Sequence, residues 1–332
     1  MPRRNSLPTE KLSGEEFLRI AWLTRVFSSG PGSKDVSLGI GDDAAVLRAN
    51  RNQWVWTVDA CVQDVHFNWK WLRPEDVGWR SLQAAVSDIA AMGAQPVAAL
   101  SSLALPGDAQ TALWRGVLRG QSRASTSLDC PVIGGNLSRA SEVSIHTTVL
   151  GHVKRPILRS GARPGDEVWL VGSVGAAAAG LTVLRRVPDN ERDSAMRSCV
   201  NAWRHPRALT KEGALLNGRA HAAIDVSDGV AGDSLHISRA SKVAIVLDAS
   251  ALQLAAGASV KRVASALRHS VLDWVLTGGE DYALLATGPA RNRPSFVKCI
   301  GIVERGHGVW LNSVDGKRQR VGPGFDHFKL KR

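Results

Sequence analysis

The sequence predicts a mixed α/β (α+β) protein of two domains, and three observations lead there. Segments of strand and helix character interleave along the whole chain. Its 332 residues, 44% hydrophobic and 22% charged, are enough for two separate cores. A punctuated stretch at 154–166, with Lys-Arg-Pro and Gly-Ala-Arg-Pro-Gly-Asp, interrupts the pattern near the middle. The expected units are therefore 1–153 and 154–332.

Apolar alternation and short β-branched runs predict strands over 53–58, 97–103, 143–153, 168–171, 222–225, 243–247, 282–287 and 297–303. Helical periodicity predicts helices over 15–27, 75–92, 109–124, 176–185, 208–219, 230–240 and 260–267. The first of these opens at Ser13-Gly-Glu-Glu16, which has the form of a capping box. The uncharged stretch 89–107 contains Gly93, Gln95, Pro96, Ser101 and Ser102, so it reads as a helix end followed by a strand, not a membrane span. The alternating Trp54-Val55-Trp56 segment places its tryptophans in the core by expectation. Gly172-Ser-Val-Gly175 through Gly180 follows a strand and opens a helix. It lacks the Gly-Lys-Ser/Thr of a P-loop and reads as packing.

A net charge of +12 is expected as a solvated basic surface, favourable to anionic small molecules. No zinc finger, RNP motif or other nucleic-acid module accompanies it, so nucleic acid is not an expected partner. Four separated cysteines, Cys61, Cys130, Cys199 and Cys299, give no C-x-x-C pair. Arg3 and Arg4 lead into no apolar signal core. Both observations point to a reducing cytoplasm and away from the membrane.

Chemistry is concentrated in five short acidic clusters set in small or apolar residues. They are Gly-Ile-Gly-Asp-Asp at 39–43, Thr-Val-Asp at 57–59, Val-Ser-Asp at 86–88, Asp-Val-Ser-Asp-Gly at 225–229 and Gly-Gly-Glu-Asp at 278–281. Desolvating a lone carboxylate costs several kcal/mol, so carboxylates on apolar elements imply a shared site for hard cations. That points to magnesium-dependent phosphate chemistry. Adjacent residues of an extended chain face opposite ways, so only one of Asp42 and Asp43 enters such a site. Asp59 is read as ending the 53–58 strand, and Asp88 as lying on a packed helix. Each of these acids taken alone reads as a cap or an ion pair, and it is their joint pattern that points to a shared site. Asp225 and Asp228 flank a strand-to-helix turn, where Ser227 is available to a phosphate, and an Asx-turn is the competing reading. Gly134-Gly135-Asn136 would let backbone approach a phosphate. His66 alone reads as an ordinary half-buried histidine, and no Ser-His-Asp triad or Cys-His pair is evident.

Taken in order, GIGDDAAVL (39–47), VQDVHF (62–67), VSDIAAMGAQP (86–96), IGGN (133–136), LRSGARPGD (158–166), AIDVSDGV (223–230), TGGEDYALL (277–285) and GFDHF (324–328) resemble the thiamine-monophosphate kinase family. That family belongs to the superfamily of aminoimidazole-ribonucleotide synthetase. The resemblance implies the two-domain fold of that superfamily and a homodimer formed through N-terminal-domain strands. It also implies ATP- and Mg²⁺-dependent conversion of thiamine monophosphate to thiamine diphosphate. By motif, Asp43, Thr57, Asp59, Asp88, Asn136, Asp225 and Asp228 would ligate magnesium. Gly135, Asn136, Arg159 and Ser227 would hold ATP, and His66, Glu280 and Phe325 would contact thiamine monophosphate. No residue is implied as a covalent nucleophile. Asn136 stands where the family carries aspartate, Val58 where it carries threonine, and Asp64 where it carries glycine. The alternatives are another ATP-dependent enzyme of the superfamily, or a non-catalytic nucleotide- or RNA-binding relative with salt-sensitive RNA binding.

Overall fold

The computed structural model describes residues 53–322, together with Trp22, residues 25–27 and the strands β1 (Val36–Leu38) and β2 (Val46–Leu47), which pair antiparallel. Trp22 and residues 25–27 are helical, within the helix expected over 15–27. The remainder of that helix, the 39–43 cluster with Asp42 and Asp43, and Phe325 lie outside the described residues.

A four-stranded sheet is built from β3 (Gln53–Val62), β4 (Gln95–Leu105), β5 (Val132–Arg139) and β6 (Ser144–Val153), in the order β3-β6-β4-β5. Only β4 and β5 run parallel. One face carries the helices α1 (Pro74–Ala91) and α2 (Thr111–Leu128). Local chemistry sets the limits of α1. Pro74 sits at the first turn, where its missing N–H costs nothing, and Glu75 and Asp76 complement the positive end of the helix dipole. Asp76 accepts from the Arg73 backbone N–H at 3.0 Å, closing a capping box. At the other end Gly93 turns to φ 66°, and the bonds Gly93 N–H to Ala90 and Ala94 N–H to Ile89 form a Schellman stop. Glycines let α1 and α2 touch backbone to backbone. A Cβ on Gly78 would lie 1.8 Å from the Val117 carbonyl oxygen, and one on Gly120 would lie 2.0 Å from that of Glu75.

The helices fix which face of β3 is inside. Val55 and Cys61 are buried there with Thr57 and Asp59 between them, while Trp54, Trp56 and Val58 point outward at 38%, 69% and 64% exposure. The expectation of core tryptophans at 54 and 56 is thus reversed: with period two, burying Val55 and Cys61 turns both indoles away.

A seven-stranded sheet follows, ordered β13-β12-β9-β11-β7-β10-β8. Its strands are β7 (Glu167–Val171), β8 (Ala222–Asp225), β9 (Ala244–Asp248), β10 (Leu284–Gly288), β11 (Lys298–Glu304), β12 (Gly308–Asn312) and β13 (Arg318–Arg320). All its pairs are antiparallel except β9 with β12. The helices are α3 (Ala176–Arg186), α4 (Ser194–Arg204), α5 (Thr210–Leu216), α6 (Val230–Ser241), α7 (Ala249–Ala255), α8 (Gly257–Leu267) and α9 (Val271–Thr277). Helix α1 ties the two sheets together. Its Ala90 and Ala91 share a buried cluster with Leu216, Trp169 and Ala223, and a Cβ on Gly213 of α5 would lie 2.1 Å from the Ala90 carbonyl oxygen. The uncharged 89–107 stretch is the end of α1 followed by β4. Among the described residues no helix is long and apolar enough to cross a membrane.

Candidate active site

The acidic residues gather where α1, β3 and β8 meet. Asp59 lies in mid-strand opposite Thr147, because β3 continues four residues beyond the predicted end at 58. On the same inward face Thr57 donates its hydroxyl to Asp88 Oδ2 at 2.6 Å. One residue earlier on α1, buried Ser87 donates to Asp225 Oδ2 at 2.9 Å, across to the end of β8. Burial, then the Asp88 charge, push the Asp225 carboxyl up to about 7, with Asp59 adding to the same direction. The Ser87 hydroxyl and the Arg159 guanidinium act against this rise. Thr57, Asp59, Asp88, Arg159 and Asp225 therefore share one electrostatic environment, although they lie far apart in sequence.

The turn from β8 to α6 brings Ser227 and Asp228 to the same place, and three residues not assigned from sequence hold it. Asp233, on the first turns of α6, accepts from the Asp228 backbone N–H at 3.2 Å. Burial, then Asp225 and Asp228, raise its own carboxyl to about 8. The 278–281 loop is pinned against this turn by Glu280 N–H to Ser227 and Tyr282 N–H to Val226, at 2.9 and 3.0 Å. Gly279 permits the contact, since a Cβ there would lie 2.0 Å from the Ser227 carbonyl oxygen. Glu280 and Tyr282 adopt φ of 67° and 50°, a left-handed conformation that costs non-glycine residues about 1 kcal/mol or more each.

The two acids of this loop have separate tasks. Asp281 accepts the Gly175 and Ala177 backbone N–H groups at 2.6 and 2.9 Å, filling the N-terminus of α3. The glycine-rich segment 172–180 is thus occupied by a protein carboxylate, in line with its reading as packing. Glu280 takes the Trp203 indole N–H at 2.6 Å and a hydrogen-bonded ion pair from Arg80 of α1. Arg80 is 4% exposed, also donates to the Trp203 carbonyl, and lies over that indole at 4.8 Å. A helical arginine facing inward at 80 was the available sequence signal, but its partners are 123 and 200 residues away.

Other expected residues are placed differently. His66 accepts the Val62 N–H on Nδ1 at 3.1 Å, in the turn that ends β3. Asp64, in that turn, has φ 61°, which explains why glycine suits the position. Its carboxylate takes the Asn68 amide at 2.6 Å and that of Gln63 at 3.2 Å, within the turn itself. Gly135 and Asn136 lie within β5, not in a loop. A Cβ on Gly135 would sit 1.8 Å from the Ser101 carbonyl oxygen, so interstrand packing accounts for that glycine. Asn136 pairs with Ser102 and Gly135 with Ser101, in register with His146 and Thr147 of β6. Asn136 therefore faces the side opposite Asp59, three strand spacings or about 14 Å across the sheet.

Among the described residues no three His, Cys, Asp or Glu side chains are drawn together closely enough to hold an ion. The donor set nevertheless fits a hard cation. It is all oxygen, from Thr57, Asp59, Asp88, Asp225 and Asp228, and burial, then the neighbouring Asp88 and Asp59 charges, raise Asp225. Covalent catalysis has little support: burial holds Cys61 and Cys130 at about 12 and Cys199 at about 11.

Residues 41–153 match the family model for the AIR synthase related protein, N-terminal domain. A thiamine-monophosphate kinase of Aquifex aeolicus is 33% identical over 292 residues, covering 87% of this chain and 92% of the relative. That of Mycobacterium tuberculosis is 32% identical over 330 residues, covering 98% and 96%. A solved structure described as "AaThiL complexed with AMPPCP and TMP" superposes with a TM-score of 0.77 at 31% identity, over 97% of this chain and 98% of that one. By sequence and by fold alike, the chain belongs to the thiamine-monophosphate kinase family.

Proposed function

We propose that this protein transfers the γ-phosphoryl group of ATP to the phosphate of thiamine monophosphate, yielding thiamine diphosphate. The observation that carries this reading is the convergence of Asp59, Asp88 and buried Asp225 at one junction. A phosphate monoester has a second pKa of about 6, so its oxygen is already an anionic nucleophile at neutral pH. The chemical difficulty is repulsion among phosphates, and Mg²⁺, when bound, offsets that repulsion and aligns donor and acceptor for in-line transfer.

Asp43, Thr57, Asp59, Asp88, Asp225 and Asp228 are the proposed magnesium ligands, and Asn136, which faces the other side of the sheet, is not retained among them. Gly135, Arg159 and Ser227 are the proposed ATP contacts. His66, Glu280 and Phe325 are the proposed contacts to thiamine monophosphate, with Glu280 oriented by Arg80 and Trp203. In this reading Thr57 and Ser87 orient the carboxylates of Asp88 and Asp225. We assign residues 1–153 to an ATP- and magnesium-binding unit and 154–332 to one that completes the site, in a cytoplasmic enzyme. The outward apolar row Trp54, Trp56 and Val58 supports a homodimer through the four-stranded sheet.

Incubation of purified protein with ATP, Mg²⁺ and thiamine monophosphate should yield thiamine diphosphate and ADP in equal amounts, and thiamine should not serve as acceptor. ATP-dependent phosphorylation of thiamine, or no product from the monophosphate, would overturn the assignment. Light scattering at micromolar concentration should give twice the monomer mass.

A further inference from the structure

The seven-stranded sheet carries a second feature at its far edge, which the reaction above does not use. A cavity of about 570 Å³ opens between the C-terminal end of α6, the β11–β12 turn and β13. Arg239 and Lys242 enter it from α6, His307 from the turn and Arg320 from β13. Its remaining lining includes Leu235, Val309 and Val321, and among the described residues it holds no aspartate or glutamate.

The local chain builds this space deliberately. Ser238 Oγ donates to the Val243 carbonyl at 2.7 Å and accepts the Gly308 N–H at 2.9 Å, fastening α6 to the turn. Gly306 and Gly308 adopt φ of 129° and 82°, so the turn folds back with no side chains at those positions. The Arg320 guanidinium lies over Gly308, where a Cβ would meet its Nε and Nη2 at 3.5 Å. Arg239 and Lys242 partly complement the negative end of the α6 dipole. That role does not extend to Arg320 and His307, which come from other elements into the same space. Among the described residues, Glu304 pairs with Arg318 at 2.9 Å and Asp315 with Lys317 at 3.2 Å.

We propose that this cavity binds a phosphorylated organic anion, with its phosphates against Arg239, Lys242 and Arg320 and its ring system against Leu235, Val309 and Val321. Guanidinium forks match phosphate oxygens in pairs, which suits them to this task better than ammonium alone. The volume lies within the range of small-molecule sites and accommodates a nucleoside diphosphate.

Calorimetric titration with ADP in EDTA tests this. EDTA withholds the cations that the proposed kinase site uses, and the charge reversals lie outside that site, so either reading can fail alone. The expected result is saturable binding with a Kd of about 1 mM or tighter. Arg239→Glu and Arg320→Glu, made singly in exposed positions, should each weaken it about tenfold or more, and Asp225→Asn should leave it unchanged. Absence of saturable binding, undiminished affinity in both charge reversals, or preference for single-stranded RNA over ADP would overturn the proposal.

Discussion

Replacing Arg80 with methionine keeps the length of the side chain and its apolar contacts while deleting the guanidinium that joins α1 to Trp203 and Glu280. Three interactions are lost together. A charge-assisted hydrogen bond to a carboxylate contributes about 2 kcal/mol and a neutral bond to the Trp203 carbonyl about 1 kcal/mol. Stacking at 4.8 Å over the Trp203 ring adds about 1 kcal/mol in a desolvated setting. Glu280 retains 29% exposure, so water recovers part of its solvation and the penalty for an abandoned buried charge is not incurred in full. The expected cost is about 3–4 kcal/mol, read as a lower urea midpoint at unchanged m-value. A double-mutant cycle with Glu280→Gln should return a coupling of about 1.5 kcal/mol or more. Because Glu280 is proposed to contact thiamine monophosphate, KM for that substrate should also rise in Arg80→Met. A stability loss under about 1 kcal/mol, or a coupling near zero, would refute this joining role of Arg80.

Asp59→Asn and Asp225→Asn should each lower turnover about a hundredfold or more with a native circular dichroism spectrum, and near-normal rates in both would sink the proposed metal site. Gly78→Ala and Gly120→Ala each place a Cβ within 2.0 Å of a carbonyl oxygen, so each should lose about 2 kcal/mol or more in thermal unfolding, and wild-type stability in both would contradict the helix contact. Asp233 tests the pH dependence of the metal-free protein. Its carboxyl is raised from 3.8 to about 8 by burial and then by Asp225 and Asp228, so the native state holds a proton that the unfolded chain releases. Its stabilising contribution is complete below pH 3.8, declines by up to about 1.4 kcal/mol per pH unit, and is lost as pH rises through about 8. Denaturation in EDTA at pH 5 and 8 should show this decline, and Asp233→Asn should flatten it; matching profiles would contradict the assignment.

Elements with strong periodicity or clear punctuation are the ones legible in the chain. The helix predicted over 75–92 is α1 to within a residue at either end, because Pro74 and Gly93 bracket it. Strand β8 falls on 222–225 as expected. The helices Ala249–Ala255 and Val271–Thr277 are seven residues long, too short to show a period, and the edge strand Arg318–Arg320 carries only polar residues. The polar run Gly-Gly-Asn-Leu-Ser-Arg gives β5 little strand character of its own, and pairing with β4 supplies it. The helix expected over 208–219 contracts to Thr210–Leu216, where Gly213 meets Ala90.

The sequence by itself determined the acidic motifs, their order and hence the family, since these are properties of residue identity and spacing. It also determined the helix limits wherever caps and glycines are local. Only the tertiary structure decided which acids share an environment. Strand parity placed Asp59 inward and Asn136 on the other face, the Ser87 hydroxyl joined α1 to Asp225, and the 278–281 pair separated into Asp281 capping α3 and Glu280 held by Arg80. Such choices depend on contacts between segments distant in sequence, up to 200 residues apart for Arg80 and Glu280, and their energies arise only when packing removes water from both sides.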